Sequence, residues 1–205
     1  MPQKPELEIF ARHLPEYSVN YCYELWKTFN FNFRITRKRN SKLGDYRFDP
    51  TTGQHSISVN HNLNRYAFLI TYIHEVAHLT TREKYKNRVL PHGNQWKNEF
   101  KKLMIPMLTN QIFPDDVLRV LARHMKNPKA SSTSDKNLYL VLRKYDKESG
   151  GKLLSELESG VTFLFNKKVY RKIEKRRTRS LCIEVSSNRK YLISETAPVQ
   201  EFKNQ

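Results

Sequence analysis

The sequence predicts an α+β fold, with a domain of helices and a small sheet over residues 1–125, a linker or long loop over 126–137 and a small basic β module over 138–205. Three observations carry this. Apolar residues recur at helical spacing near the start and again through the middle of the chain. Between those regions lie three short segments in which apolar and polar residues alternate. After a polar stretch containing Pro and Ser, the alternation returns in short runs. At 205 residues the chain is long enough for one well-buried core and an appendage, but short for two full-sized domains.

Glu6 to His13 and Tyr17 to Phe29 space their apolar residues as helices do, with Pro15 placed to start the second. Phe31, Phe33 and Ile35 then alternate with Asn32, Arg34 and Thr36, and Tyr46 with Phe48 and Ile57 with Val59 repeat the pattern on either side of PTTGQ. These read as a small antiparallel sheet with a hairpin at Pro50 to Gln54. From about Asn64 to Lys84 the apolar residues cover nearly the whole circumference of a helix, so that helix is central and buried. Asn94 is placed to cap a helix through Leu108, and Pro114 to start another that ends near Met125. KNPKASSTSDKN, residues 126–137, is the linker. Beyond it VTFLFN, KKVYRKI, SLCIEVS and RKYLIS mark the β module.

Charge narrows the partners. With 37 Lys and Arg against 20 Asp and Glu, the chain carries a formal +17, a field that draws phosphate polymers with salt-sensitive affinity and, less strongly, anionic membranes. Residues 1–125 hold 19 basic and 11 acidic residues, and the remaining 80 hold 18 and 9, so the tail is the denser part. Within it Lys167, Lys168, Arg171, Lys172, Lys175, Arg176, Arg177 and Arg179 form a run against Glu174 alone, the candidate nucleic-acid-binding residues, with Tyr170 or Tyr191 available to stack on bases. A solvated basic hairpin face is the competing reading. The two cysteines, Cys22 and Cys182, supply neither a disulfide scaffold nor a four-cysteine zinc site. Together with an N-terminus lacking a signal-like apolar core and the absence of any run near membrane-span length, they predict a cytoplasmic protein.

The central helix also carries ITYIHEVAHLTT, residues 70–81. Residues four apart lie on one helical face, so His74 and His78 can offer imidazole nitrogens to one zinc ion. Glu75 sits about 100° round, beside the ion, where its carboxylate can take a proton from zinc-bound water as general base. Two imidazoles and a carboxylate on so apolar a helix are costly to bury unpaired, and a metal supplies the pairing. The alternative is core histidines bonded to backbone.

A catalytic zinc needs a third protein ligand and an open position. The metzincin extension fails, because its Gly and His positions hold Thr81 and Lys84. Glu99 and His92 are the candidates that lie downstream, and His92 is the better placed.

HEVAH followed after twelve residues by PHGNQWKNEF resembles the SprT-like zinc metallopeptidase family, whose pattern is HExxH, a variable insert, then a histidine before Gly and a Trp-Lys pair. The likeness covers roughly residues 5 to 125, including strands similar to those preceding the family's active-site helix. It implies a zincin-like domain in which His92 completes the site with His74 and His78, and Glu75 is the catalytic base. Gly93 suits a loop that brings a ligand to the metal, since glycine takes backbone angles other residues avoid. Trp96 is a packing anchor or ordinary core. The resemblance stops at the tail, where many members carry a four-cysteine zinc ribbon and this chain has only Cys182. What the family implies about substrate, from its Spartan branch, is protein bound or crosslinked to DNA, with DNA ahead of RNA as partner. The reading from a different class is a non-catalytic protein with a structural zinc site and a nucleic-acid-binding tail.

Overall fold

A computed structural model describes residues 5–39, 41–86, 88–147 and 151–202. They form two compact units, Met1–Lys147 and Glu148–Gln205, in a mixed α+β architecture.

The first unit opens with helices α1 (Pro5–His13) and α2 (Val19–Phe29). Strands β1 (Asn32–Thr36), β2 (Gly44–Phe48) and β3 (His55–Asn60) follow, then helices α3 (Arg65–Tyr85), α4 (Asn94–Met104), α5 (Asp115–Lys126) and α6 (Lys136–Arg143). The sheet order is β1-β3-β2. The expected hairpin joins β2 to β3, but the sheet is mixed and not antiparallel throughout, because β3 inserts between the first two strands and so runs parallel to β1. Consecutive strands still reverse direction; the order of insertion changes the pairing.

Alternation along the strands decides which face is buried. Ile57 and Val59 are fully buried, and Phe33, Ile35 and Tyr46 pack onto the same core. Phe10 stacks on Phe33 with ring centroids 5.2 Å apart, and Tyr72 of α3 meets both edge-on while donating its hydroxyl to the Cys22 carbonyl at 2.8 Å. That anchors α3 under the sheet.

Helix α3 is central for the reason its composition gives: thirteen of its residues are buried, on every side. Its start is fixed by Asn64, whose Oδ1 accepts from the N–H groups of Tyr66 and Ala67, a cap worth about 1 kcal/mol. The same amide donates to the Leu142 carbonyl at 2.9 Å and to Asp146 at 2.7 Å, fastening the C-terminal end of α6 to the beginning of α3. Helix α4 stops at Met104, short of the expected Leu108, because Pro106 cannot donate to a continuing helix and Ile105–Met107 tightens into a 3-10 turn.

The domain boundary moves accordingly. Residues 126–137, expected as a linker or long loop, lie within the first unit, and α6 beyond them buries Leu138, Val141 and Leu142 in the same core. The stretch is polar because it is a wall of the unit. Its ends are held by His124 Nδ1 against Asp135 Oδ2 at 3.0 Å, and by Asp135 capping α6.

The second unit is a six-stranded antiparallel sheet in the order β4-β9-β5-β6-β7-β8. Its strands are β4 (Lys152–Leu153), β5 (Thr162–Phe165), β6 (Lys168–Lys175), β7 (Arg179–Glu184), β8 (Lys190–Ser194) and β9 (Pro198–Glu201). Phe163, Tyr170, Cys182, Ile193 and Val199 form its core. No helix among the described residues is long and apolar enough to cross a membrane.

Candidate metal centre and active-site cleft

His74 and His78 project from one face of α3, and the segment after the helix returns His92 to meet them. The three Nε2 atoms form a small triangle: His74–His78 3.2 Å, His78–His92 3.0 Å, His74–His92 3.2 Å. Hydrogen bonding cannot satisfy that triangle. Each Nε2 of a neutral imidazole is either donor or acceptor, so among three mutually adjacent atoms at least two must be alike and repel. A cation at the centre, accepting all three lone pairs, removes the conflict. Among the described residues this is the one group of three or more potential ligands close enough to share an ion.

Electrostatics agree with the geometry. Burial, reinforced by the neighbouring imidazoles, pushes His74 down to about 2 and His78 to about 4, and burial lowers His92 as well. All three are therefore neutral ligands near neutral pH, the form a metal requires. Residues 74, 78 and 92 fit a divalent metal ion by donor type, by spacing and by protonation.

His92 reaches this position through its own backbone. Its φ is +56°, in the left-handed region that costs a side-chain-bearing residue of order 1 kcal/mol. Gly93, to which that freedom was attributed, has an ordinary φ of −69° and serves as N-cap of α4. What Gly93 supplies is room, because a Cβ there would come within 3.0 Å of the Leu90 carbonyl oxygen.

Trp96 is core and site at once. It is 1% exposed, and its ring centroid lies 4.6, 5.3 and 4.7 Å from those of His74, His78 and His92. Phe100 stacks behind it at 5.1 Å. Glu99, one turn along, is not among the converging ligands. Both of its oxygens accept from Lys84, at 2.8 and 2.7 Å. Lys84 occupies the position where the metzincin pattern would have its third histidine.

Glu75 faces the cleft beside the histidines and is 7% exposed. Burial first, then the nearby Asp45 carboxylate, pushes its carboxyl up to about 8, opposed by Arg39, by the backbone N–H of Tyr46 that bonds it, and by Lys42. A carboxyl poised near neutrality can both take and return a proton.

Strand β2 supplies the other side of the cleft. Its ladder with β3 includes Asn60 N–H to Leu43 carbonyl and Asp49 N–H to Gln54 carbonyl, so odd-numbered residues face β3. By alternation the backbone groups of Gly44 and Tyr46 point out from this edge strand. Gly44 passes so close to α3 that an added Cβ would collide with Glu75 Oε1 and come within 2.7 Å of Thr71 Cγ2. The loop before β2 is held by Asn60, whose Nδ2 donates to the carbonyls of Arg39 and Lys42 at 3.2 and 2.9 Å. Ala130, Ser131 and Ser132 complete the opposite wall of a cleft of about 420 Å³.

Gly44 and the 130–132 wall escaped the sequence reading, since a lone glycine and a polar loop carry no ligand signature, and the sequence does not single out Tyr46 among the chain's eleven tyrosines.

The remaining four histidines stand apart from the cluster: His13 stacks on Phe68, His124 holds Asp135, His55 bonds Tyr46 and Glu83, and His61 is exposed.

The basic run in the second unit is less uniform than its sequence. Lys172 is 3% exposed and spends its ammonium on the carbonyls of Leu154 and Leu157, at 2.8 and 2.7 Å, so it is a structural cation and not part of a binding surface. Lys168 pairs with Glu184 at 2.7 Å and Arg176 with Glu174 at 3.0 Å, while Lys175 lies 3.8 Å from Glu195. Lys167, Lys168 and Arg171 share one depression with Phe202; Arg177 and Arg179 are exposed at the β6–β7 turn. Tyr170 is buried and so is not presented for base stacking; the half-buried Tyr191 meets it edge-on and donates its hydroxyl to Glu184.

With the boundary after Lys147, residues 1–147 hold 25 basic and 13 acidic residues and residues 148–205 hold 12 and 7. The surplus is spread over both units. On the first, Arg34, Arg37 and Lys38 are exposed on the outer sheet face and its following loop, with no ion-pair partner among the described residues.

Compared with known proteins, the chain matches no family model, no curated protein and no solved structure.

Proposed function

We propose that the protein is a zinc-dependent metallopeptidase of the zincin-like, SprT-like kind, and that a protein associated with nucleic acid is its substrate. The observation that carries this is the pairing of a three-imidazole triangle with a buried carboxyl, Glu75, in one open cleft. His74, His78 and His92 would hold the ion. A zinc ion there supplies Lewis acidity toward a carbonyl oxygen and acidifies water.

The chain's own groups do the rest. Glu75 accepts the proton of the attacking water and returns it to the leaving amine. The Tyr46 N–H favours the ionised form of that carboxylate. The outward backbone groups of Gly44 on edge strand β2 suit an extended polypeptide segment laid along the cleft. Trp96 closes the floor behind the imidazoles and excludes water from that side.

The test is Glu75→Gln. Zinc content should stay near one per chain while cleavage of a flexible polypeptide, free or bound to DNA, falls by about 10³-fold, within the roughly 10²–10⁴ contribution typical of general acid–base catalysis. Undiminished cleavage would remove Glu75 as base. Zinc retained by both proteins with hydrolysis by neither would favour a structural zinc site in a nucleic-acid-binding protein.

A further inference from the structure

Tyr46 touches both halves of the candidate chemistry and is itself gripped from behind. Its backbone N–H points out from β2 on the side of Glu75 and holds down that carboxyl's affinity for a proton, and the neighbouring Gly44 lies directly against Glu75 Oε1. Its ring lies parallel to that of His78, 7° apart in plane with centroids 6.2 Å apart. Its hydroxyl is 2.9 Å from His55 Nδ1, and His55 Nε2 is 3.0 Å from Glu83 Oε1.

The donors in that chain can be assigned. Glu83 is acceptor-only when ionised, so in the neutral ring His55 Nε2 carries the proton and Nδ1 keeps the lone pair; the Tyr46 hydroxyl is then the donor. The His55 ring is further fixed between aromatic neighbours, 5.8 Å from Tyr46 and 4.9 Å from Phe48. Glu83 belongs to α3, two turns beyond Glu75 on the helix that carries His74 and His78. The chain therefore starts and ends on one helix and closes a loop through β2 and β3.

We propose that Glu83, His55 and Tyr46 form a positioning chain that clamps β2 against α3, so that one residue, Tyr46, sets both the Glu75 carboxylate and the plane of the His78 imidazole. This rests on the peptidase reading for its kinetic arm but not for its spectroscopic one. Tyr46 acts here through Glu75 and His78; its hydroxyl is engaged with His55 and is not assigned to the substrate. Neither His55 nor Glu83 belongs to the metal-binding pattern, and their separation from the motif in sequence hides the link.

The experiment uses the full chain with Tyr46→Phe, which removes the Tyr46–His55 bond, His55→Phe, which removes that bond and the one to Glu83, and the double variant; each keeps an aromatic ring. Cobalt(II) bound in place of zinc reports ligand geometry through its visible absorption. Thermal unfolding checks that each variant folds, and Glu83→Gln, at a partly exposed position, gives a milder lesion should either ring substitution fail to fold.

Each single variant should shift the cobalt(II) spectrum and lower kcat about tenfold with KM within about twofold, as for a group acting only on the transition state. The double variant should match His55→Phe, because Tyr46→Phe removes a bond that His55→Phe has already lost. Additive losses, or an unchanged spectrum and kcat, would overturn the proposal. If the parent chain cleaves nothing, the peptidase reading fails, while a non-additive spectral shift would still support the clamp and an unshifted spectrum would still overturn it.

Discussion

Lys84 donates to both carboxylate oxygens of Glu99, tying the last turns of α3 to α4 through a pair whose acid is almost wholly buried. Glu99 is thereby a fastener and not a metal ligand. Glu99→Gln should retain a full complement of zinc by elemental analysis. Lys84→Met, which leaves the buried carboxylate with only Lys102 at 3.5 Å, should cost about 1–3 kcal/mol in denaturant unfolding, less than a fully buried pair because Lys84 is half exposed. Loss of zinc in Glu99→Gln at unchanged stability would return Glu99 to the ligand set.

Gly44 is required by proximity. Its backbone angle is ordinary, but any Cβ must displace Glu75 or lift β2 from α3. Gly44→Ala should lower kcat at least tenfold while zinc content is retained, and the stability loss should be of the 1–3 kcal/mol typical of overpacking. Full activity in this variant would show that β2 can retreat freely.

Zinc uptake should release close to one proton per ion near pH 7, and the proton should come from Glu75. The imidazoles, with affinities for protons lowered by burial, are already neutral there and have none to give. Glu75, pushed up to about 8, is mostly protonated, and a dication alongside lowers its affinity so that the proton leaves. Calorimetry in buffers of different ionisation enthalpy measures the count. Glu75→Gln should lower it, leaving what metal-bound water releases; an unchanged count would assign the proton elsewhere.

If nucleic acid is a partner, its footprint should extend onto the first unit. Reversing Arg34, Arg37 and Lys38 together to Glu should weaken binding to duplex DNA at least tenfold and reduce the salt slope by about 3, and reversing Lys167, Arg177 and Arg179 should do as much. Anisotropy titrations across salt concentrations would measure both. Lys172→Met should leave the slope unchanged and instead destabilise the second unit, since it strips two buried carbonyls of their donor. A loss confined to the second-unit variant would restore the tail as the whole platform.

What was legible in the sequence followed from local rules. Periodicity located α2, α3 and β5 to β8 within a few residues, because each buries a face whose spacing is set by backbone geometry. His74, Glu75 and His78 share one helix, and a one-dimensional pattern suffices to place them together. His92 was found only through the residues around it, and its left-handed backbone is invisible to spacing. The parallel pairing of β1 with β3 depends on strand order, which alternation does not encode. Residues 126–137 misled because a polar segment that walls a cleft has the same composition as one that joins two domains. Lys172 misled in the same way: a cation in a basic run is indistinguishable from one that inserts beneath the sheet to satisfy carbonyls.

The Asn64 bridge to Leu142 and Asp146 has a practical side. A fragment ending at Met125 would lack the partners of that amide, the apolar side of α6 and the serine wall of the cleft, leaving the beginning of the histidine helix open to water. Trimming the gene for separate production of the first unit should therefore cut after Lys147.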